Sequence, residues 1–221
     1  MNVPGVLMVI SGPSGSGKTS LCKALLEKEH DARFSVSYTS RKMRPDEKEG
    51  ADYHFVDQTT FRRMIERKEF AEWAEVYGDL YGTSGAWLRS QMDLGVDVIL
   101  DIDYQGAYQV REGFSDGAPV LVFVIPPSFD VLNQRLDSRG TETEARVAHR
   151  MRTAEEEVKH IHLYDYIVIN DAFDRALDDL TAILHAERST RARLLSRVRR
   201  AYNGLIPGKP PPPPKRRPSG L

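Results

Sequence analysis

One cysteine, Cys22, is all the sulfhydryl chemistry this 221-residue chain possesses. A single thiol excludes a disulfide framework and a thiolate metal site, and such usage favours a reducing compartment. Long apolar runs are also missing, since no stretch approaches the ~18 residues that a membrane helix needs. The opening run Met1–Ile10 has neither a basic start nor a cleavage pattern, so a cytoplasmic protein is expected. No internal repeat is found. What is present is ordinary for a soluble globular protein: 40% hydrophobic and 29% charged residues. That is enough for a real core, as one domain with insertions or two small ones.

The net charge of −1 conceals an asymmetry. From Ser189 onward there are nine basic residues and no acidic ones, whereas the preceding 188 residues carry 22 basic against 32 acidic side chains. Body and tail therefore need separate explanations. The tail ends in "GLIPGKPPPPPKRRPSGL", which cannot build a core and reads as a polyproline-like or disordered end.

Along the body, strands alternate with helices. "GVLMVI", "VDVILDID" (96–103), "APVLVFVIPP" (118–127) and "YDYIVIN" are continuous apolar runs, as expected of strands buried on both faces of a parallel sheet. "SLCKALLEKE" has helical spacing, and "SFDVLNQRLDSRG" reads as a helix capped by Ser128 and stopped by Gly140. In "TTFRRMIERKEFAEWAE", Phe61, Met64, Ile65 and Phe70 fit one helix face with Thr59 or Thr60 as its cap. "TETEARVAHRMRTAEEEVKH" is a charged helix, and "FDRALDDLTAILHAE" closes the body with Leu177, Leu180, Ile183 and Leu184 on one side, its pattern running on toward Tyr202. The alternation predicts a doubly wound α/β sheet.

The chemistry begins at Gly12-Pro13-Ser14-Gly15-Ser16-Gly17-Lys18-Thr19, which fits G-x-x-x-x-G-K-[ST] between a strand and a helix. Glycines let successive backbone N–H groups point at phosphate oxygens, and the helix start adds its positive dipole end. Lys18 is expected to reach the β- and γ-phosphates and Thr19 to hold Mg²⁺. A GTPase would carry a base-reading N-K-x-D segment, and none is present. Asp101 and Asp103 end an apolar strand, where carboxylates face the ligand crevice of a parallel sheet. One suits the Mg²⁺ shell and the other a second substrate, unless both merely cap the following turn.

Residues 37–55, "SYTSRKMRPDEKEGADYHF", lack helical period and core-strand composition. Alone they read as a solvated loop. Beside a triphosphate cradle they read as an anion clamp. A nucleoside monophosphate acceptor attacks through an anionic oxygen, so it needs charge neutralisation and in-line positioning and no general base. Arginine forks and tyrosine hydroxyls suit that task.

With "GPSGSGKT", "SVSYTSR", "GADYHFV", F-x-E-W, "YGTS", "ILDIDYQG", RL-x-x-RGTETE and "VIND" in order over about residues 5–188, the chain closely resembles the guanylate kinase family. The resemblance implies ATP-dependent phosphorylation of GMP, and of dGMP, on a P-loop nucleoside monophosphate kinase-like doubly wound parallel sheet. It implies core segments 1–34, 93–125 and 158–188, a GMP-binding segment at 35–92, a helical lid at 126–157 and an extension at 189–221. Arg41, Arg44, Tyr53 and Tyr81 would hold the GMP phosphate, while Ser37, Glu72, Thr83 and Asp103 would read the guanine. Arg135, Arg139 and Arg150 would close over the transferring group, joining Lys18 and Arg41 as catalytic residues. Arg139, Asn170 and Asp171 would flank the adenine. Mg²⁺, shared by Thr19 and Asp101 partly through water, is the implied cofactor.

The Glu72 assignment has its own chemistry, because guanine presents N1–H and an amino group side by side to a carboxylate and adenine does not. Where the family usually reads T-R-x-P-R-x-G-E, this chain has Ser40-Arg41-Lys42-Met43-Arg44-Pro45-Asp46-Glu47, so a proline and a glycine are replaced inside the clamp.

His160 and His162 lack a metal-site constellation and are read as structural or solvated. Cys22 is read as a small buried apolar group, and Trp73 and Trp87 as packing residues. The expected partners are GMP and ATP, without a membrane or a specific nucleic acid; the Pro-rich basic tail has an unidentified partner or none, and a homo-oligomer stays open. Two other classes compete with the kinase reading. One is a binding module that reuses the pocket for phosphopeptides; the other is a relative that phosphorylates a sugar bisphosphate precursor, in which Glu72 and Thr83 would not matter.

Overall fold

The structure, a computed structural model, describes residues 3–76, 78–114, 118–137, 144–202 and 205–206, with the side chains of 137 and 144–148 outside the description. Its centre is β1 (Leu7–Ser11), buried at every position. β1 pairs in parallel with β7 (Asp97–Asp101) on one side and β8 (Val120–Ile125) on the other. β2 (Ala32–Phe34) and β9 (Tyr166–Ile169) complete the order β2-β7-β1-β8-β9, all parallel. Such a sheet needs cover on both faces, and strand alternation supplies the grip for it. Met8 and Ile10 point into one cluster with Leu21 and Leu25 of α1 (Lys18–Lys28) and Leu180 and Leu184 of α7 (Phe173–Arg188). Leu7 and Val9 point into another with Leu88 and Met92 of α3 (Gly85–Asp93) and Val110 of α4 (Tyr104–Gly113). Cys22 is buried in the first cluster and burial raises its thiol, so it behaves as an apolar group.

A second, four-stranded sheet lies between α1 and α3 in sequence. Its order is β4 (His54–Phe55), β3 (Tyr38–Thr39), β6 (Asp79–Ser84), β5 (Phe70–Val76). Residues 37–55 thus contribute two short strands near their ends. The helix expected to run from Thr59 or Thr60 to Phe70 is shorter: α2 spans Gln58–Glu66, and Phe70 begins β5. Its cap is Asp57, whose carboxylate accepts from the Thr60 N–H at 2.8 Å and the Thr60 hydroxyl at 2.8 Å. Phe70 still meets Phe61, stacked at 4.5 Å, from the strand side.

α5 (Phe129–Asp137) and α6 (Glu144–Lys159) follow β8, with the Ser128 hydroxyl accepting from the Val131 N–H at 3.2 Å as a cap. Arg139 and Gly140 lie outside the described residues. The closing helix does not run on: α7 stops at Arg188, and α8 (Arg191–Ala201) starts afresh. The break lets Arg188 turn inward to Asp97 at 2.6 Å and Glu29 at 2.7 Å, while Arg193 donates to the Gly5 carbonyl at 2.9 Å. Trp87 packs against the core, but Trp73 is 39% exposed and is not a packing residue. Among the described residues, no helix is long and apolar enough to cross a membrane.

Candidate active site

The loop between β1 and α1 is shaped by backbone that only glycine adopts comfortably. Gly12 and Gly17 have φ of +139° and +91°, and a Cβ on Gly12 would stand 2.0 Å from the Val124 carbonyl oxygen. Lys18 curls back so that Nζ donates to the Gly12 carbonyl at 2.6 Å, placing its charge over the loop. Asn170, from the end of β9, is 5% exposed and fastens the loop from behind, its Nδ2 donating to the Ser16 carbonyl at 2.7 Å. Arg135 of α5 donates to the Asn170 carbonyl at 2.9 Å, whereas Asp171 is exposed. The Ser16 hydroxyl is buried with no hydrogen-bond partner among the described residues. Such an atom fits a cradle completed by a ligand.

β7 lies alongside β1 with Asp101 opposite Ile10, so the strand-end carboxylate arrives beside the start of α1. The Thr19 hydroxyl donates to Asp101 Oδ2 at 2.6 Å. Two residues on, Asp103 caps α4 by accepting from the Gly106 N–H at 2.9 Å. Asp103 thus serves as a helix cap, the alternative reading of this carboxylate. Among the described residues, no group of three His, Cys, Asp or Glu gathers as a metal site. His160 instead stacks on Tyr104, with ring centroids 4.2 Å apart.

The second sheet presents Glu72 on strand β5. It pairs in register with Thr83 on β6. Glu72 is 6% exposed, and Thr83 Oγ1 donates to its Oε1 at 2.5 Å. Because that bond uses the threonine proton, the Ser37 hydroxyl at 3.4 Å must donate to Thr83 in turn. Burial raises the Glu72 carboxyl to about 7, with Asp103 pushing the same way and the Thr83 hydrogen bond opposing. Ser37, Thr83 and Glu72 are thus linked in one hydrogen-bonded row, and the Asp103 charge acts on Glu72.

Around the corner, Arg41 is held by a bidentate bridge to Glu47, with Nη2 to Oε1 at 2.7 Å and Nη1 to Oε2 at 2.9 Å. Glu47 also accepts from the Arg44 N–H at 2.8 Å. These bonds, led by the one from Arg41, bring its carboxyl down to about 2. The Arg41 guanidinium lies 5.5 Å from the Tyr53 ring, which meets Tyr81 edge-on at 5.8 Å. Burial raises the Tyr53 hydroxyl, so it stays protonated and able to donate. Met43 is exposed, so the position where the family usually has proline carries no packing here.

Two further residues went unread in the sequence. Glu157 of α6 has a carboxylate oxygen buried without a hydrogen-bond partner among the described residues, and the Tyr164 hydroxyl after it is buried beside Ser11. Burial raises Glu157 to about 7, opposed by the Lys18 charge and aided by that of Asp103. Only the charged, solvated look of α6 was legible in its spacing. Arg150 lies on the same helix, half-buried.

Comparisons with known proteins agree on one family. The guanylate kinase family model matches residues 5–187. The chain is 49% identical to the guanylate kinase of Chromohalobacter salexigens over 86% of this chain and 87% of that one. It is 48% identical to the guanylate kinase of Nitrosospira multiformis over 92% and 94%. The crystal structure of guanylate kinase from Anaplasma phagocytophilum superposes with a TM-score of 0.71 at 33% identity, covering 90% of this chain and 96% of that one.

Proposed function

The chain belongs to the guanylate kinase family, the ATP:GMP phosphotransferases, and we propose how its own residues divide that work. The observation that carries the proposal is the segment 101–103. Asp101 engages the cradle through Thr19, and Asp103 bonds the Gly106 N–H beside Glu72, so in this reading one short turn joins a triphosphate site to a base-reading site.

In this reading the cradle from Gly12 to Thr19 binds the ATP phosphates, with Lys18 leaving the Gly12 carbonyl for the β- and γ-oxygens. Asn170 positions the cradle, and Asn170, Asp171 and Arg139 flank the adenine. Glu72 and Asp103 accept the guanine donors while Ser37 and Thr83 orient them. Arg41, Arg44, Tyr53 and Tyr81 neutralise and aim the acceptor phosphate, whose oxygen attacks the γ-phosphorus in line. Arg135, Arg139 and Arg150 arrive with the lid, segment 126–157, stabilising developing charge and excluding water. The GMP-binding segment, 35–92, closes from the other side, and dGMP is accepted as well as GMP.

The hydroxyl and carboxylate paired at Thr19 and Asp101 are the hard oxygen donors that Mg²⁺ favours. They would hold the ion, partly through water, and its charge would offset that of the phosphates. A cytoplasmic setting belongs to the same proposal.

The test is ADP formation from ATP–Mg²⁺ with a panel of acceptors. GMP and dGMP should support turnover, while AMP and sugar bisphosphate precursors should not. Turnover of the sugar phosphate, or phosphopeptide binding without turnover of GMP, would replace this reading with one of its rivals.

A further inference from the structure

Helix α4 contains a glycine that its backbone does not require. Gly106 is the third residue of the helix, is buried, and is not among the glycines with positive φ. Glycine at such a site destabilises a helix relative to alanine. Its N–H donates to the capping Asp103 carboxylate, a bond any residue except proline would make.

What glycine alone supplies is space. A Cβ at position 106 would stand 3.1 Å from Glu72 Oε2 and 3.1 Å from Ile102 Cδ1. The carboxylate has little freedom to yield, because Thr83 holds its other oxygen. The helix has little freedom either. Gln109, one turn along, clamps the edge of β5 by accepting from the Trp73 N–H at 3.1 Å and donating to the Trp73 carbonyl at 3.0 Å. Helix and strand are fixed in register, with Glu72 Oε2 lying against the bare Cα of Gly106.

We infer that Gly106 is a positioning residue for acceptor-base specificity: its missing side chain lets the Glu72 carboxylate rest where both oxygens face the paired donors of guanine. The inference rests on the reading of Glu72 as the guanine acceptor and adds the residue that sets its geometry. A methyl group at 106 would lift Oε2 off the helix and turn the carboxylate out of the plane in which N1–H and the amino group present their hydrogens. Two hydrogen bonds would be bent together, and a site with mispaired buried groups loses selectivity steeply.

The experiment compares wild type, Gly106→Ala, and Ile102→Val/Gly106→Ala, which removes the methyl that a new Cβ would also meet. The double variant should melt close to wild type, raise the GMP KM at least tenfold, and leave the ATP KM within twofold. In a Glu72→Ala background, where the clashing oxygens are gone, adding Gly106→Ala should change the GMP KM by less than twofold. An unchanged GMP KM, an equal rise in both KM values, or the same rise without Glu72 would overturn the inference. Failure of both variants to fold would also count against it, since the conflict would then lie in helix packing. If Glu72→Ala alone leaves the GMP KM untouched, the reading of Glu72 fails first, a separate and distinguishable result.

Discussion

Glu72 on β5 and Thr83 on β6 face each other in the small sheet and share a buried hydrogen bond of 2.5 Å. Burial raises the carboxyl to about 7, so near neutral pH it is poised between its two forms. Guanine offers donors, and only the ionised carboxylate accepts from both. Rising pH through about 7 should therefore lower the GMP KM, and falling pH should raise it. Glu72→Gln should raise the GMP KM ten- to hundredfold, the loss of a charge-assisted bond of about 1.5–3 kcal/mol, and should flatten that dependence. The acceptor phosphate also ionises near pH ~6 in both proteins. Parallel profiles for wild type and variant would remove Glu72 from the base site.

Lys18 makes its one side-chain hydrogen bond among the described residues to a carbonyl of its own loop. Lys18→Ala should therefore leave thermal melting nearly unchanged while lowering kcat by about 10²–10³, as for removal of a group that stabilises transition-state charge. Near-normal turnover would exclude Lys18 from the transfer.

Glu47 has a role that its exposed, charged loop concealed. It grips both terminal nitrogens of Arg41 and the Arg44 N–H, pre-shaping the clamp that Met43 and Asp46 leave without the family's usual proline and glycine. Glu47→Ala should raise the GMP KM five- to tenfold, roughly the cost of ordering an arginine side chain on binding. The ATP KM should not follow. A lower GMP KM would mean that Glu47 competes with the phosphate instead of preparing for it.

The extension divides at α8. Arg193 ties that helix to the Pro4 and Gly5 carbonyls at the start of β1. Removing residues 207–221 should alter neither kcat nor melting temperature. Removing everything from Ser189 should lower the melting temperature by a few degrees, at ~2–4 °C per kcal/mol for a chain of this size, with kcat preserved. A fall in kcat on removing only the Pro-rich end would give that end a part in the reaction cycle.

The cradle was legible in the sequence because its whole geometry is local: a buried strand, fixed glycines, a lysine and a helix within a dozen residues. The parallel sheet was legible from continuous apolar runs. What misled was Phe61-Met64-Ile65-Phe70, whose helical spacing spans two elements. The chain turns at Lys68, which takes φ of +55° without a glycine to announce it. Glu72 therefore fell within an apparent helix until the strand placed it opposite Thr83. Glu157 gave no signal, and Tyr164 and Gly106 stood in stretches read for other reasons, since burial beside a distant partner leaves no mark on local spacing. The break at Ser189 was hidden for the opposite reason, because helical pattern continues across it.

The most direct test is a crystal structure with GMP and a non-hydrolysable ATP analogue bound together. A GMP phosphate oxygen should lie in line with the γ-phosphorus at near-attack distance, about 3–3.5 Å, with the guanine edge on Glu72 and Lys18 turned from Gly12 to the triphosphate. A GMP phosphate remote from the γ-phosphorus with both nucleotides bound and the lid closed would contradict direct transfer across the turn that joins Asp101 to Asp103.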